Sequence, residues 1–550
     1  MSIFKLKFIY FFFISYLILG LYIYNDYGVG IEEHFQRKNG FYWLKELFIF
    51  LNLENLTFLA LQKYESIILL DPSLPNTEFF NFYGIIFDVP TAFIELIFKI
   101  EDSKLYFEIR HLINFLFFFV GSIFFYKLIK NRFKNDLIVN FGTIFYVFNP
   151  RIFGDSFYNN KDVLFLSILT ISIYYLFKYF EKSSLKSLIL FCLFASFATS
   201  TRIVGIYLPI LLIIFLFLEY VSNKIILKNF IKKTVLVIFY FIFFLYLHFP
   251  YIWDLNIFNL ISWFKVFFYN MGLNILFEGK YYHIKYLPYS YLPKWIFITT
   301  PLIILLLSTA GFFFIFKRFI IRILNIKLTT QNFNDLWRSK NEKKDLFILV
   351  SLTSFFFFAV LLNVAMLSGW RHFYFLHIFI IYFAVYTLNF IFFQFKRKKM
   401  NIFLFSFVNS IFIFFIFFQI IVFHPYQSLY FNIFINSSNT VDFPVDTPSL
   451  SRADGLKFIV NDAKDLNKIF VATSSWTPLF NGADLLTNND KKKLIFVGQE
   501  YKKANYIYTN FNYDVDPKLN KKYNIPSNFR KIRHVIIKGI PIYSIYKKTN

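Results

Sequence analysis

Residues 8–24 read FIYFFFISYLILGLYIY, and 25–37 continue as NDYGVGIEEHFQR. The first run carries no charge, and about 20 such residues in a helix cover the ~30 Å hydrocarbon core of a bilayer. Lys5 and Lys7 precede it, and Asn25-Asp26-Tyr27 follows it with no small-residue cleavage site. It is therefore expected to be a retained membrane helix with its N-terminus inside, not a cleaved signal peptide. Just past its outer end stand three carboxylates, Asp26, Glu32 and Glu33, with Gly28 and Gly30 permitting a tight turn between them.

The same pattern recurs along the chain. Apolar runs fall at 8–24, 111–128, 136–149, 163–179, 185–200, 203–220, 234–250, 295–316, 346–366, 373–393 and 402–422, giving about eleven expected spans. Of the 550 residues, 57% are hydrophobic and only 17% charged, and 86 are Phe. A soluble domain carries about 25% charged residues, so a soluble enzyme, a disordered chain and a collagen-like fibre are all excluded. The net charge of +25 forms no stripe for nucleic acid. Instead, 25 Lys and Arg fall within segments 1–7, 127–135, 178–186, 222–234, 317–345 and 395–400, the asymmetry that marks cytoplasmic loops. Eleven spans from an inner N-terminus put the C-terminus outside.

The expected fold class is thus an all-α polytopic membrane domain over 1–423, with a long first outer loop at 25–110, and a small extracytoplasmic α/β domain over 424–550. In the tail the composition shifts to Asn, Asp, Lys and Ser, with a helix expected at 451–462. Strands are expected at 468–473, 493–498, 505–510 and 533–546, the last broken by Gly539-Ile540-Pro541 into a hairpin. The tail holds 18 Lys and Arg against 10 Asp and Glu, a basic surface that suits solvent or anionic groups. The single cysteine, Cys192, lies in an apolar run and reads as a buried small residue.

Ionisable residues at the outer membrane edge are costly there and are functional candidates. Beside Asp26, Glu32 and Glu33, which can equally cap helices or sit in solvent, the second cluster is Asn149-Pro150-Arg151 through Asp155, Tyr158, Lys161 and Asp162. Asp162 opens the next helix, where an acid also suits the helix dipole. Arg202 stands alone between apolar runs, and Ser368-Gly369-Trp370-Arg371-His372-Phe373-Tyr374 sits at a later outer edge. An Arg in such a place pairs with an acid, clamps a phosphate or anchors at the interface. Tyr289 and Tyr291 belong to an aromatic stretch before a span, either a membrane-interface belt or the rim of a groove. No GxxxxGK[ST], HExxH, CxxC or GxSxG occurs, which argues against P-loop ATPases, zincins and serine hydrolases.

In their order and sidedness these clusters resemble the GT-C superfamily of membrane glycosyltransferases, relatives of protein O-mannosyltransferases and of the lipid A aminoarabinose transferase. Glu32-Glu33 stands where that family has an acidic pair, usually Asp-Glu, after the first helix. Asn160-Lys161-Asp162 resembles its second acid before the fourth helix. Arg110-His111 resembles its Arg at the start of the second helix, and Arg371-His372-Phe373-Tyr374 its basic residue and Tyr near a late helix, with His377 where a Pro is common. The resemblance covers about 1–432. It implies a polyprenyl-phosphate sugar as donor, with membrane lipid around it, and a glycan, lipid or protein as acceptor, in a bacterial inner (plasma) membrane. It further implies inverting displacement, with Glu32 or Glu33, or else Asp26, as base, and Asp162 positioning the acceptor or a metal. Lys161, Arg202 and Arg371 would then hold the donor phosphate. Asp155, Tyr158, His372, Tyr374, Tyr289 and Tyr291 would contact substrate. No cofactor is certain; some family members use a divalent cation, Mg²⁺ or Mn²⁺. A polytopic transporter or flippase of a lipid-linked or anionic substrate is the alternative, although the polar residues gather at the outer edge rather than at the midplane.

Overall fold

The computed structural model describes residues 2–71, 73–76, 83–254, 256, 258, 261–263, 272–324, 336–361, 364, 366–367, 369–436 and 439–549, with residues 2–7 as backbone only. Ser368, the side chains of Lys5 and Lys7, and parts of segments 25–110, 251–294 and 317–345 lie outside the described residues.

The first helix, α1 (Ser2–Ile23), leads into α2 (Glu33–Phe50), α3 (Glu54–Leu70) and α4 (Asp88–Ile97). Next come α5 (Ser103–Arg132), α6 (Asp136–Val147), α7 (Pro150–Tyr158), α8 (Asp162–Lys182), α9 (Leu185–Thr201), α10 (Tyr207–Val221) and α11 (Leu227–His248). A hairpin of β1 (Asn274–Phe277) and β2 (Lys280–His283) precedes α12 (Tyr291–Thr299), α13 (Leu302–Leu324), α14 (Lys340–Leu361), α15 (Leu376–Arg397) and α16 (Ile402–Phe423).

Among the described residues, eight helices are long and apolar enough to cross a membrane, and three shorter apolar helices, Phe8–Ile23, Asp136–Val147 and Leu185–Thr201, fall on the remaining expected spans. Their ends follow local capping: Asp102, Asn135, Ser184 and Asn401 each accept a backbone N–H of the helix they precede. The helix α8 is central, 83% of its span being buried, whereas α11, at 17%, turns most of its apolar surface outward, as an apolar helix facing lipid must.

Three boundaries depart from the sequence expectation. The span expected at 111–128 starts at Ser103, because α5 continues through Arg110 and His111, whose side chains meet Asp88 and Glu33 inside the protein. The run 295–316 is two helices: α12 ends at Thr299 and α13 restarts at Leu302, since Pro301 lacks the N–H that would continue the ladder. The segment 25–110, expected as a loop, contains the three helices α2, α3 and α4, whose apolar residues are interleaved with charges and therefore show no continuous run.

The segments expected inside are drawn together by ion pairs. Asp345 binds Arg132 at 2.7 Å and Arg318 at 2.9 Å, Lys344 binds Glu181 at 3.0 Å, and Lys343 binds Glu219 at 2.7 Å.

After α16 lies a small sheet domain: α17 (Arg452–Asp462), β3 (Ile469–Thr473), α18 (Asn488–Lys493), β4 (Leu494–Phe496), β5 (Tyr506–Thr509), β6 (Phe529–Ile537) and β7 (Ile540–Lys548). The strand order is β4-β3-β5-β7-β6. Strand β3 runs parallel to both β4 and β5, while β7 is antiparallel to β5 and β6. The β6–β7 hairpin turns at Lys538 (φ 49°) and Gly539 (φ 79°), the two left-handed positions of a two-residue turn. It is longer than expected because β6 starts at Phe529.

This domain is stitched to the chain's beginning. Ile31 N donates to Pro448 O at 3.0 Å, and Arg452, wholly buried, donates to Val29 O at 2.8 Å. A Cβ on Gly28 would lie 2.1 Å from Leu450 O, so only glycine lets the two strands of chain cross there.

Candidate active site

The turn Gly28-Val29-Gly30 delivers the acidic pair. Gly30 N donates to Glu33 Oε1 at 2.7 Å, and His111 Nε2 lies 3.1 Å from Glu33 Oε2. Glu33 is buried and fixed by these contacts, so the neighbouring Glu32 is the acid left facing outward.

Glu32 is ion-paired with Arg371, which sits on the short turn Arg371–Phe373 between α14 and α15. Arg371 Nε is also 3.9 Å from Asp162 Oδ2. Asp162 opens α8 and pairs with Arg202, at the C-terminal end of α9. Asn159 fixes Asp162, donating to its carboxylate at 3.0 Å and accepting from its N–H at 3.0 Å. Lys161 rests 3.5 Å from the centre of the Tyr83 ring. Four segments far apart in sequence thus bring Glu32, Lys161, Asp162, Arg202, Arg371 and His372 into one electrostatic cluster.

Burial alone would raise the Glu32 carboxyl, but Arg371, and then Lys161, outweigh it and hold it at about 2. Burial pulls Lys161 down to about 8 against the opposing pull of Glu32 and Asp88. His372 falls to about 3 through burial and then the charge of Arg202, so it is neutral near pH 7. Burial lowers the Arg371 pKa, but Glu32 and Asp162 overcome it and raise it. Among the described residues the Nε atoms of Arg202 and Arg371 are buried with no hydrogen-bond partner.

The other expected site residues lie apart from this cluster or are committed elsewhere. Asp26 pairs with His424 at 2.9 Å, in a depression lined by Tyr27, Lys104, Glu108 and Asp454. Asp155 accepts from Tyr158 and from Asn159, so Asp155 and Tyr158 brace the loop that carries Lys161 and Asp162. Tyr374 is buried within electrostatic reach of Asp155 and Arg151. The hydroxyl of Tyr291, wholly buried, accepts from Gly369 N at 3.2 Å and positions the turn before Arg371. Tyr289 is 69% exposed and lines a different depression with Lys285 and Met366.

Two contributors were missed from sequence. Tyr83 supplies the ring beneath Lys161, and Asp88 binds Arg110 at 3.0 Å while also acting on Lys161. Asp88 opens α4, and an acid starting a short helix close to the site was the available signal. As for a divalent cation, Glu32 and Asp162 are each neutralised by an arginine. Among the described residues no three His, Cys, Asp or Glu gather to hold an ion. The donor set does not fit one.

Glu32 and Arg371 line a solvent-open cleft together with Asn274 and Tyr281 of the hairpin and Trp476 and Tyr513 of the sheet domain.

Residues 89–248 match the family model described as dolichyl-phosphate-mannose-protein mannosyltransferase. That stretch contains Arg110, Lys161, Asp162 and Arg202, while Glu32 and Arg371 fall outside it. No curated protein matches the chain. A solved structure of ArnT from Cupriavidus metallidurans bound to undecaprenyl phosphate is similar over 97% of each chain, at 9% identity and a TM-score of 0.43. The matched segment thus resembles a membrane mannosyltransferase family, in a chain whose helices are long and apolar enough to cross a membrane.

Proposed function

We propose that the chain moves a sugar from a polyprenyl-phosphate donor to an acceptor hydroxyl or amine at the outer membrane edge, with inversion, and that Glu32 accepts the acceptor's proton. One observation carries this: two carboxylates, each paired to an arginine, meet beside Lys161, and both arginines keep a buried Nε that makes no hydrogen bond. The matched family's description names a dolichyl-phosphate mannose, a sugar on a polyprenyl phosphate. Such a donor keeps its tail in the bilayer and needs no nucleotide-binding motif.

The resting ion pairs supply the chemistry. A donor phosphate competes with Glu32 and Asp162 for Arg371 and Arg202, because a bidentate guanidinium–phosphate contact is as strong as the carboxylate contact it replaces. Once Arg371 turns toward phosphate, Glu32 loses the partner that depresses its pKa and becomes a better base. The acceptor atom attacks the anomeric carbon, forming the new glycosidic bond. The bond from that carbon to the phosphate oxygen breaks, and its electron pair leaves with the lipid phosphate, where Arg202, Arg371 and Lys161 stabilise the charge. The acceptor's proton passes to Glu32. Asp162 holds Arg202 in place, and His372, neutral, can donate or accept a hydrogen bond. The clustering of basic segments at the opposite end supports an inner N-terminus and an extracytoplasmic site.

The test is sugar transfer by the protein reconstituted in lipid nanodiscs, using a panel of polyprenyl-phosphate sugars. With a competent donor, Glu32→Gln is expected to lose at least about 100-fold in turnover while still binding donor. A wild-type protein that neither binds nor turns over any donor would overturn the assignment, and unchanged turnover in Glu32→Gln would remove Glu32 as base.

A further inference from the structure

We propose that the cleft above Glu32 is the acceptor site, that it takes an uncharged glycan, and that Trp476 and Tyr513 of the sheet domain hold that glycan against the catalytic turn. The acceptor role rests on the transferase assignment above.

The topology of the sheet places these residues. The chain leaves β3 toward β4 on one side, then returns as β5 on the other side of β3. The loops after the parallel strands β3 and β5 therefore diverge, and in open parallel sheets ligands bind in the crevice outside such strand ends. Those two loops carry Trp476 and Phe511 through Asp514, all of which line the cleft shared with Glu32 and Arg371.

The loops are rigidly built. Trp476 N donates to Asn512 O at 3.1 Å, and Asn510 N donates to Ser475 Oγ at 3.0 Å. Asn510 Nδ2 donates to the buried Asp446 at 3.2 Å, and Phe511 is held at φ 57°. A non-glycine residue in that region is strained unless its surroundings enforce it. Trp476 nevertheless stays 37% exposed. A large aromatic left open on a fixed loop inside a cleft is a preformed stacking surface.

The chemistry of the lining selects the occupant. Trp476, Phe511, Tyr513 and Tyr281 offer flat apolar faces, and Asn274, Asn512, Thr447 and Asp514 offer polar edges. A sugar ring matches both, with C–H faces for the rings and hydroxyls for the amides. The cleft's cation, Arg371, is paired with Glu32, and its other acid, Asp514, with Lys522 at 3.1 Å, so the lining's charges are matched among themselves and an uncharged occupant suits it. A peptide adding as a strand would have, among the described residues of the lining, only the short β1–β2 hairpin, four residues to each strand, as its edge.

The experiment measures binding of neutral trisaccharides built from glucose, galactose, mannose or N-acetylglucosamine. Saturation-transfer NMR is run on the full-length protein in nanodiscs, comparing wild type, Trp476→Ala and Trp476→Phe. At least one trisaccharide should bind. Trp476→Ala should weaken it roughly tenfold, while Trp476→Phe keeps it within about threefold. Undecaprenyl-phosphate binding, measured in parallel, should be unchanged in Trp476→Ala, showing that the variant folds. If no trisaccharide binds, or if Trp476→Ala binds as wild type, the proposal fails, even where donor turnover upholds the transferase assignment. Transfer to a Ser/Thr peptide but to no glycan also overturns it. Trp476-dependent binding without turnover of any donor would keep the glycan site and defeat the transferase assignment instead.

Discussion

Within the site, Lys161 carries a charge that is lost near working pH. It is half-buried above Tyr83, and desolvation there pulls its pKa down to about 8. Below that value it is a cation able to meet a phosphate; above it the charge is lost. The value of kcat/KM, which reports the free enzyme, should therefore fall as pH rises through about 8. A bound phosphate favours the charged form and raises the pKa in the complex, so the fall in kcat should come at higher pH. Lys161→Arg, permanently charged, should remove the alkaline fall in kcat/KM; pH profiles of the two proteins check this. At this scale the sequence showed which residues matter more clearly than how they pair. Glu32, Asp162, Arg202 and Arg371 were legible as costly charges at a membrane edge. That Glu33 would be spent on His111 and a backbone N–H, and Asp26 on His424, depends on chain crossings that no local pattern records.

The helices α2 and α4 are joined by Arg37, which donates to Glu95 at 2.5 and 2.9 Å beneath the Tyr106 ring. Both side chains are buried. Removing one partner of a buried pair leaves the other charge uncompensated, at a cost of about 3–5 kcal/mol. Glu95→Ala is expected to lower the thermal unfolding midpoint clearly and to cut transfer, because α2 carries the acidic turn at its start. Glu95→Gln, which keeps an acceptor, should lose less; thermal scans of both in one detergent decide it. These helices were hidden because their apolar residues alternate with charges, whereas α8, α15 and α16 announced themselves as unbroken apolar runs. The sheet's helix and strands were legible too, since β-branched and aromatic runs separated by Asn, Lys and Gly point to short strands.

Across the whole molecule the two ends are held by different means. At the end opposite the site, Asp345, fully buried, gathers Arg132, Arg318 and the Tyr382 hydroxyl, the last at 2.6 Å. Asp345→Ala would leave two arginines facing each other without their anion. Expected results are loss of a monodisperse peak in size-exclusion chromatography and reduced yield of membrane-inserted protein, with Asp345→Asn intermediate. Charge clustering marked these segments as loops of one side, but composition could not show that one acid ties three helices together. At the other end, Val29 and Ile31 are pinned by Arg452 and Pro448, residues translated hundreds of positions later. Synthesis proceeds at roughly 5–20 residues per second, so the acidic turn waits tens of seconds for the segment that fixes it. A nascent chain that stops short of residue 448 can thus occupy the membrane with its acidic turn made but unpinned, and competence arrives only after residues 448–452 have followed.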